Sequence, residues 1–582
     1  MRRALAALAL ALAGLILVGP AALAATTGTA AVSGPAAPQL LVHAALASTQ
    51  PADGSVVAQA PRQVTASFDQ PVGISADSLV VYSPSGSRVD DGQTVHVTTY
   101  EIGVGLLPGQ ADGTYTAVWH VISADTHPVT GAFTYSVGAP SATHVAAFQP
   151  ASDTLVSSLF TVVRWLEYLC YALLGGGVAF LIVCWPEGGG RRGVTRLITA
   201  SSLGLLLSTL LGLLLQGPYG AGTGLGQVFS GSLVRQTLQG SLGPASEVRE
   251  VLSLFAAGVA SFLLPRLPAA SHRARQSAGA GWALLITGIA ATWAVYDHAS
   301  TGVQAPWGIP DDLVHLDAMA VWIGGLAVLA CFALRPASTG RPEDPAAAAR
   351  AVTRFSPIAL GCVIALVASG AYQTWREVGA WGALFGTAYG WLILAKIAGL
   401  IALIGLGYLA RQLIARGVTP DRTVAPSPAW PAAVARLRRS VGAELAVAAV
   451  ILALTALLVN TATGRESYAP TVSASQSFNT GGPGGAGTVH VFAEPARLGP
   501  NTIELYFTAA DGHAFTPAQV TAQLYFPSRG IGPLAVALAG TAPGQYRAQN
   551  ATVTFTGQWT LQVIVRSDAF DETSVTFPLS IH

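Results

Sequence analysis

The sequence predicts a multidomain membrane protein: an N-terminal all-β sandwich of Ig-like type, an all-α domain of eight transmembrane helices, and a C-terminal all-β sandwich. Three observations predict it. Of 582 residues, 51% are apolar and only 10% charged, against about 25% charged in a soluble globular chain. The apolar residues gather into long runs in the middle of the chain, and mean hydropathy is +0.51. On either side of them, short alternating runs are broken by Pro, Gly and Asp, the pattern of strands and turns.

Residues 1–24 open with Arg2 and Arg3, continue as an apolar run and end in an A-x-A at Ala22 and Ala24. That is the pattern of a secretory signal peptide, with cleavage expected after Ala24. Residues 25–42 read as a linker. Residues 43–138 contain QVTASFD, SLVVYS, TVHVTTY, TYTAVWHVI and GAFTYSV, with turn residues every 8–12 positions, which predicts an antiparallel sandwich. A second linker is expected over 139–158.

Eight apolar segments long enough for a bilayer follow at 159–185, 194–216, 247–265, 279–296, 312–334, 355–376, 389–410 and 440–460. Glu247, Arg249 and Glu250 crowd the start of the third. Loops 186–193, 266–278, 335–354 and 411–439 hold nearly all the arginine of this region, while the alternate loops hold only Arg235. The positive-inside rule makes the arginine-rich loops cytoplasmic. Both terminal domains are then extracytoplasmic, in agreement with the signal peptide, and the protein is expected in the plasma membrane. Beyond the membrane domain of 159–460, residues 461–487 read as a flexible linker, and 488–582 as the second sandwich.

Net charge is +1, so no global field points to nucleic acid. The four cysteines lie in apolar runs without a C-x-x-C, and they predict no disulfide framework. No phosphate loop, nucleophile elbow or zinc-protease signature is present, and a non-enzymatic protein is expected. In the first domain, VWHVISADTHPVTG places Asp125 and His127 two residues apart. On an extended chain they share a face while His120 faces the other way. An imidazole and a carboxylate suit Cu(II); the same residues also suit a polar turn. Methionine is confined to Met1 and Met319, which excludes a Met-rich Cu(I) site from this domain.

Within the spans, ionisable groups are costly and point to function. His298 and His315 flank one short outer loop, and Met319 follows His315 by one helical turn on the same face. Together they form a candidate intramembrane copper site, with Met319 a soft ligand for Cu(I), and Asp297, Asp311 and Asp312 give that mouth an acidic lining. Lys396 with Glu444 is expected as an internal ion pair. Arg164 with Glu167 and Arg376 with Glu377 are expected to snorkel at the interface, and the tryptophans at span ends to form aromatic belts.

Two resemblances sharpen this. HAALASTQPADGSVVAQAPRQVTASFDQPV and GTYTAVWHVISADTHPVTGAFTYSV resemble the CopC copper-binding domain over essentially all of 43–138. The resemblance implies a Cu(II) site of His43, with its free amine, Asp125 and His127. Cleavage after Ala24 would leave His43 inside the mature chain, without that amine. LVHLDAMAVWIGGL, RFSPIALGCVIALVASGAYQTW, LFGTAYGWLILAKIAGLIALIGLGYLAR and LRRSVGAELAVAAVILALTALLVN look like the CopD family of copper-resistance membrane proteins. GPNTIELYFTAADGHAF and GQYRAQNATVTFTGQWTLQVIV look like a YtkA-like domain, whose His490 and His513 read as surface residues. The implied function is extracytoplasmic Cu(II) binding coupled to copper transfer to or across the membrane, in uptake or tolerance. The implied partners are the copper ion, the lipid bilayer and a copper donor or acceptor protein. Two alternatives stand beside it: a b-type haem oxidoreductase using His298 and His315, and an accessory protein for assembly of a copper enzyme.

Overall fold

The computed structural model describes residues 44–581 except 75–76, 125, 142–152, 241, 297–303, 336–343, 418–429, 469, 482–483, 498 and 554–556. The predicted signal peptide, the first linker, His43, Asp125 and His298 therefore lie outside the described residues. The chain forms two compact units. One contains the first sandwich and the membrane helices; the other contains 380–387 and the chain from Gly464 onward.

The first sandwich comprises β1 (Leu46–Gln50), β2 (Val56–Val57), β3 (Gln63–Phe68), β4 (Leu79–Tyr82), β5 (Val95–Thr98), β6 (Glu101–Gly105), β7 (Gly113–Ile122) and β8 (Pro128–Val137). Its sheets are β1-β3-β6-β5 and β2-β8-β7-β4. Alternation decides what is inside: Val64, Ala66, Ile102 and Val104 of one sheet bury against Tyr115, Ala117, Trp119 and Val121 of the other. Trp119 lies opposite Gly131 in the β7–β8 ladder. A Cβ on Gly131 would come within 2.4 Å of the indole, so the glycine of H-P-V-T-G is needed for the ring to lie across that strand. Phe68 meets the same indole edge to face at 5.1 Å.

Eight helices are long and apolar enough to cross a membrane among the described residues, in agreement with the eight predicted segments. They are α1 (Thr154–Val183), α2 (Arg192–Ala221), α3 (Leu242–Leu263), α4 (His272–Ala294), α5 (Ala305–Val328), α6 (Pro345–Val378), α7 (Ala388–Gly417) and α8 (Trp430–Val459). The first starts five residues before its apolar run, inside the expected linker, because Asp153 caps it and accepts from Leu155 N at 2.8 Å. At the centre α1 and α5 touch backbone to backbone. A Cβ on Gly176 would come within 1.8 Å of Ala320 O, and one on Gly324 within 2.2 Å of Ala172 O, the close approach that small residues permit between membrane helices.

Three expectations about charged and aromatic groups fail here. Glu167 is buried and pairs with Arg249 of α3 at 3.4 Å rather than snorkelling with Arg164; Arg249 also donates to Thr292 Oγ1 at 2.9 Å and lies over Trp293. The charges that crowd the third span thus include half of a buried ion pair. Lys396 and Glu444 form no ion pair, for their side chains line different cavities. Among the tryptophans, Trp307, Trp375, Trp381 and Trp391 are exposed as a belt requires, but Trp293 and Trp322 are core.

The second unit holds β9 (Val472–Asn479), β10 (Ala486–Glu494), β11 (Gly499–Ala509), β12 (Gln519–Phe526), β13 (Ile531–Val536), β14 (Ala539–Ala542), β15 (Gln545–Val553), β16 (Gly557–Arg566) and β17 (Glu572–Ile581). They form sheets β14-β15-β11-β10-β9 and β13-β12-β16-β17 around Trp559, Phe577 and Leu561. Residues 472–479 of the stretch expected as a flexible linker form edge strand β9, paired antiparallel with β10. Small polar residues suffice there because an edge strand is held by its backbone ladder and buries few side chains.

Candidate copper pathway

The β7–β8 hairpin closes through Ser123, Thr126 and His127. Ser123 N–H donates to His127 O at 2.8 Å, and Thr126 N–H to Ser123 O at 2.9 Å. Thr126 has φ +73°, a strained conformation for a β-branched residue and one that gathers at binding sites. The segment is thus a tight turn, so the same-face argument for an extended chain does not apply inside it; the turn aims His127 instead. Ala44 N–H donates to the Ser123 hydroxyl at 3.0 Å, and Ala45 N–H to Asp69 Oδ1 at 2.8 Å. Ala44 is therefore anchored on the turn that carries Thr126 and His127.

This turn faces the membrane helices. His127 is buried, and its Nε2 lies 2.7 Å from Val459 O at the end of α8. A carbonyl only accepts, so Nε2 carries a proton and donates it to Val459. Gln216 of α2 donates to Thr126 O at 3.1 Å. His120, on the outer face of β7, has a backbone hydrogen bond with Gly220, and burial holds its imidazole below the ordinary value. Alternation along β7, with Trp119 and Val121 turned into the core, places His120 in the contact with α2.

Val459 also lines a cavity of about 140 Å³ inside the bundle, together with His315, Met319, Asp312, Glu377 and Lys396. His315 and Met319 share that lining, as their spacing predicted. His315 Nδ1 lies 2.8 Å from Ser369 Oγ, whose own proton goes to Ala365 O at 2.7 Å. Ser369 therefore accepts, which leaves the lone pair of His315 on Nε2. His315 thus has one ring N–H fixed by an oxygen and its other nitrogen placed to ligate, the second-shell arrangement common around metal-binding imidazoles, while the Nε2–H of His127 is fixed by the Val459 carbonyl. The Lys396 ammonium opposes a cation here, and the carboxylates of Asp312 and Glu377 in the same lining offset it. Glu377 is held by the Tyr389 hydroxyl.

Sequence reasoning missed Lys396 as a cavity residue, and it missed Asp317, which accepts from Tyr171 at 2.7 Å and Thr287 at 2.5 Å. The pattern of charge in an apolar run flags such residues, but only packing says what they face. Among the described residues, no three His, Cys, Asp or Glu side chains are gathered closely enough to hold a metal ion; His43, Asp125 and His298 lie outside that set.

Residues 46–138 match the CopC domain, 153–305 the copper resistance protein D-like N-terminal domain, and 349–458 copper resistance protein D. Copper transport protein CutJ of Bacillus subtilis strain 168 is 26% identical over 553 residues, 92% of this chain and 95% of that protein. Protein YobA of Escherichia coli K12 is 28% identical over 102 residues, 17% of this chain and 82% of that one. Among solved structures, PcoC, a methionine-rich copper resistance protein from Escherichia coli, is 24% identical with a TM-score of 0.15, covering 16% of this chain and 98% of that one. CopC from Methylosinus trichosporium OB3b is 24% identical with a TM-score of 0.15, over 18% and 100%.

Proposed function

We propose that this chain, which unites a CopC domain with the two parts of a CopD membrane region in one polypeptide, captures Cu(II) outside the cell and passes copper into its membrane domain. Copper is cargo here, first held at His43, Asp125 and His127. The observation that carries the reading is the bond from His127 to Val459, because Val459 also lines the cavity of His315 and Met319. Capture loop and membrane cavity thus share a wall.

The donors fit the cargo. An imidazole nitrogen beside a carboxylate suits Cu(II), imidazole accepts either oxidation state, and the Met319 thioether would favour Cu(I) formed by an external one-electron reductant such as ascorbate. Anchoring of Ala44 on Ser123 supports His43 as the third ligand, and its amine joins if processing starts the chain there. The arginine-rich loops support an outward-facing sandwich, which gives the cavity its entrance from the extracytoplasmic side.

Electron paramagnetic resonance of the full-length protein with one equivalent of Cu(II) tests the first half. The expected spectrum has nitrogen hyperfine structure, reduced in His127→Ala, which leaves the nitrogen of His43, and altered in Asp125→Asn. A spectrum unchanged by both substitutions would remove the assignment. The mass of the mature N-terminus decides whether the His43 amine contributes.

A further inference from the structure

Glu444 of α8 is 3% exposed, and its Oε1 has no hydrogen-bond partner. It lines a cavity of about 240 Å³ between α5, α6, α7 and α8. Apart from Ser356 and Tyr408, the lining is apolar, with Leu329, Val352 and Leu437 at the end of the bundle away from the first sandwich. Trp322 and Leu403 line both this cavity and the one holding His315 and Met319. They are the wall between an outer cavity that reaches the CopC domain and an inner one that reaches the far end.

A buried carboxylate without counter-ion or donor is costly in hydrocarbon, and such residues mark ion paths. We propose that Glu444 is the inner binding point for the transported copper ion, and that Trp322 and Leu403 form the closed constriction copper must pass to reach it. This rests on the transfer reading above. A single carboxylate surrounded by apolar side chains offers one hard ligand, too few to retain copper. Weak holding is what an exit site needs, since conduction requires an ion to leave as readily as it enters. The two residues expected to pair therefore take opposite ends of the route: Lys396 in the outer cavity, Glu444 in the inner.

The test uses full-length protein reconstituted in liposomes that enclose a copper-sensing dye, with CuCl2 added outside in the presence or absence of ascorbate. The isosteric Glu444→Gln should cut the copper flux by about tenfold or more. It should leave the Cu(II) resonance signal of the first domain unchanged, which also reports that the variant folds. Glu444→Asp should keep more flux than Glu444→Gln, and Trp322→Ala should raise flux above wild type. Wild-type flux in Glu444→Gln, with flux lost in His315→Ala, would overturn the inner site and leave the transfer reading standing. A wild-type protein that carries no copper would overturn both.

Discussion

The two sandwiches of this chain share an architecture and differ in where their polar residues go. In the first, buried Ser123, Thr126 and His127 converge on one turn, and that turn is bonded to α2 and α8. In the second, buried Asn501 bonds only within its own turn, to Arg497 and Gly499. Its His490 lies on β10 opposite Tyr506 and Ser475, and its His513 is exposed on a turn capped by Asp511. Both sandwiches bury an apolar core, but they differ in strand order, and a polar turn bonded to helices is found in the first, so any function is to be read from a loop and its supports and not from the architecture.

The largest expected difference between the two is in copper affinity. His127→Ala should weaken Cu(II) binding by at least about 100-fold, the upper range for losing even an outer-shell partner of a metal site. The double change His490→Ala and His513→Ala should leave it unaltered, as isothermal titration of the full chain would read. Equal losses in both would break the comparison.

Next comes the anchor beneath the site. Ser123→Ala removes the acceptor for the buried Ala44 N–H and should cost the first sandwich about 1–3 kcal/mol, measured by hydrogen exchange on β7, with copper affinity falling alongside. The polar supports of the second sandwich, such as buried Thr480 bonded to Ser567 at 2.8 Å, do not involve Ser123, so its exchange should not change.

The smallest effect is with pH. Burial lowers the folded value for His120, so the unfolded chain takes up the proton first. The stability this contributes is full above about pH 6.5 and is lost as pH falls below that toward the folded value. The protection factors of the first sandwich should fall between pH 7 and 5, and His120→Leu should flatten that fall.

Much of this molecule was legible in its residues. Long apolar runs have one stable outcome in a bilayer, and all eight appear as helices. Alternation marked both β domains, and the D-T-H-P stretch marked the turn. What the residues could not show is direction. Glu167 lies one turn from Arg164, yet its partner is Arg249 on another helix, and Lys396 and Glu444 face separate cavities. A charge in an apolar segment is visible along the chain, but its partner is set by helix rotation. The Ser-rich run at 472–479 failed for a related reason: an edge strand needs backbone partners, not apolar side chains.

The central claim is that copper moves from the His127 turn into the cavity of His315 and Met319. Uptake into liposomes by wild type, His127→Ala and His315→Ala, measured across a range of external copper, tests it most directly. The account predicts that His127→Ala is slow at low copper and recovers at high copper, because it removes capture, whereas His315→Ala stays slow by about tenfold or more at every concentration. Wild-type uptake by His315→Ala would contradict it.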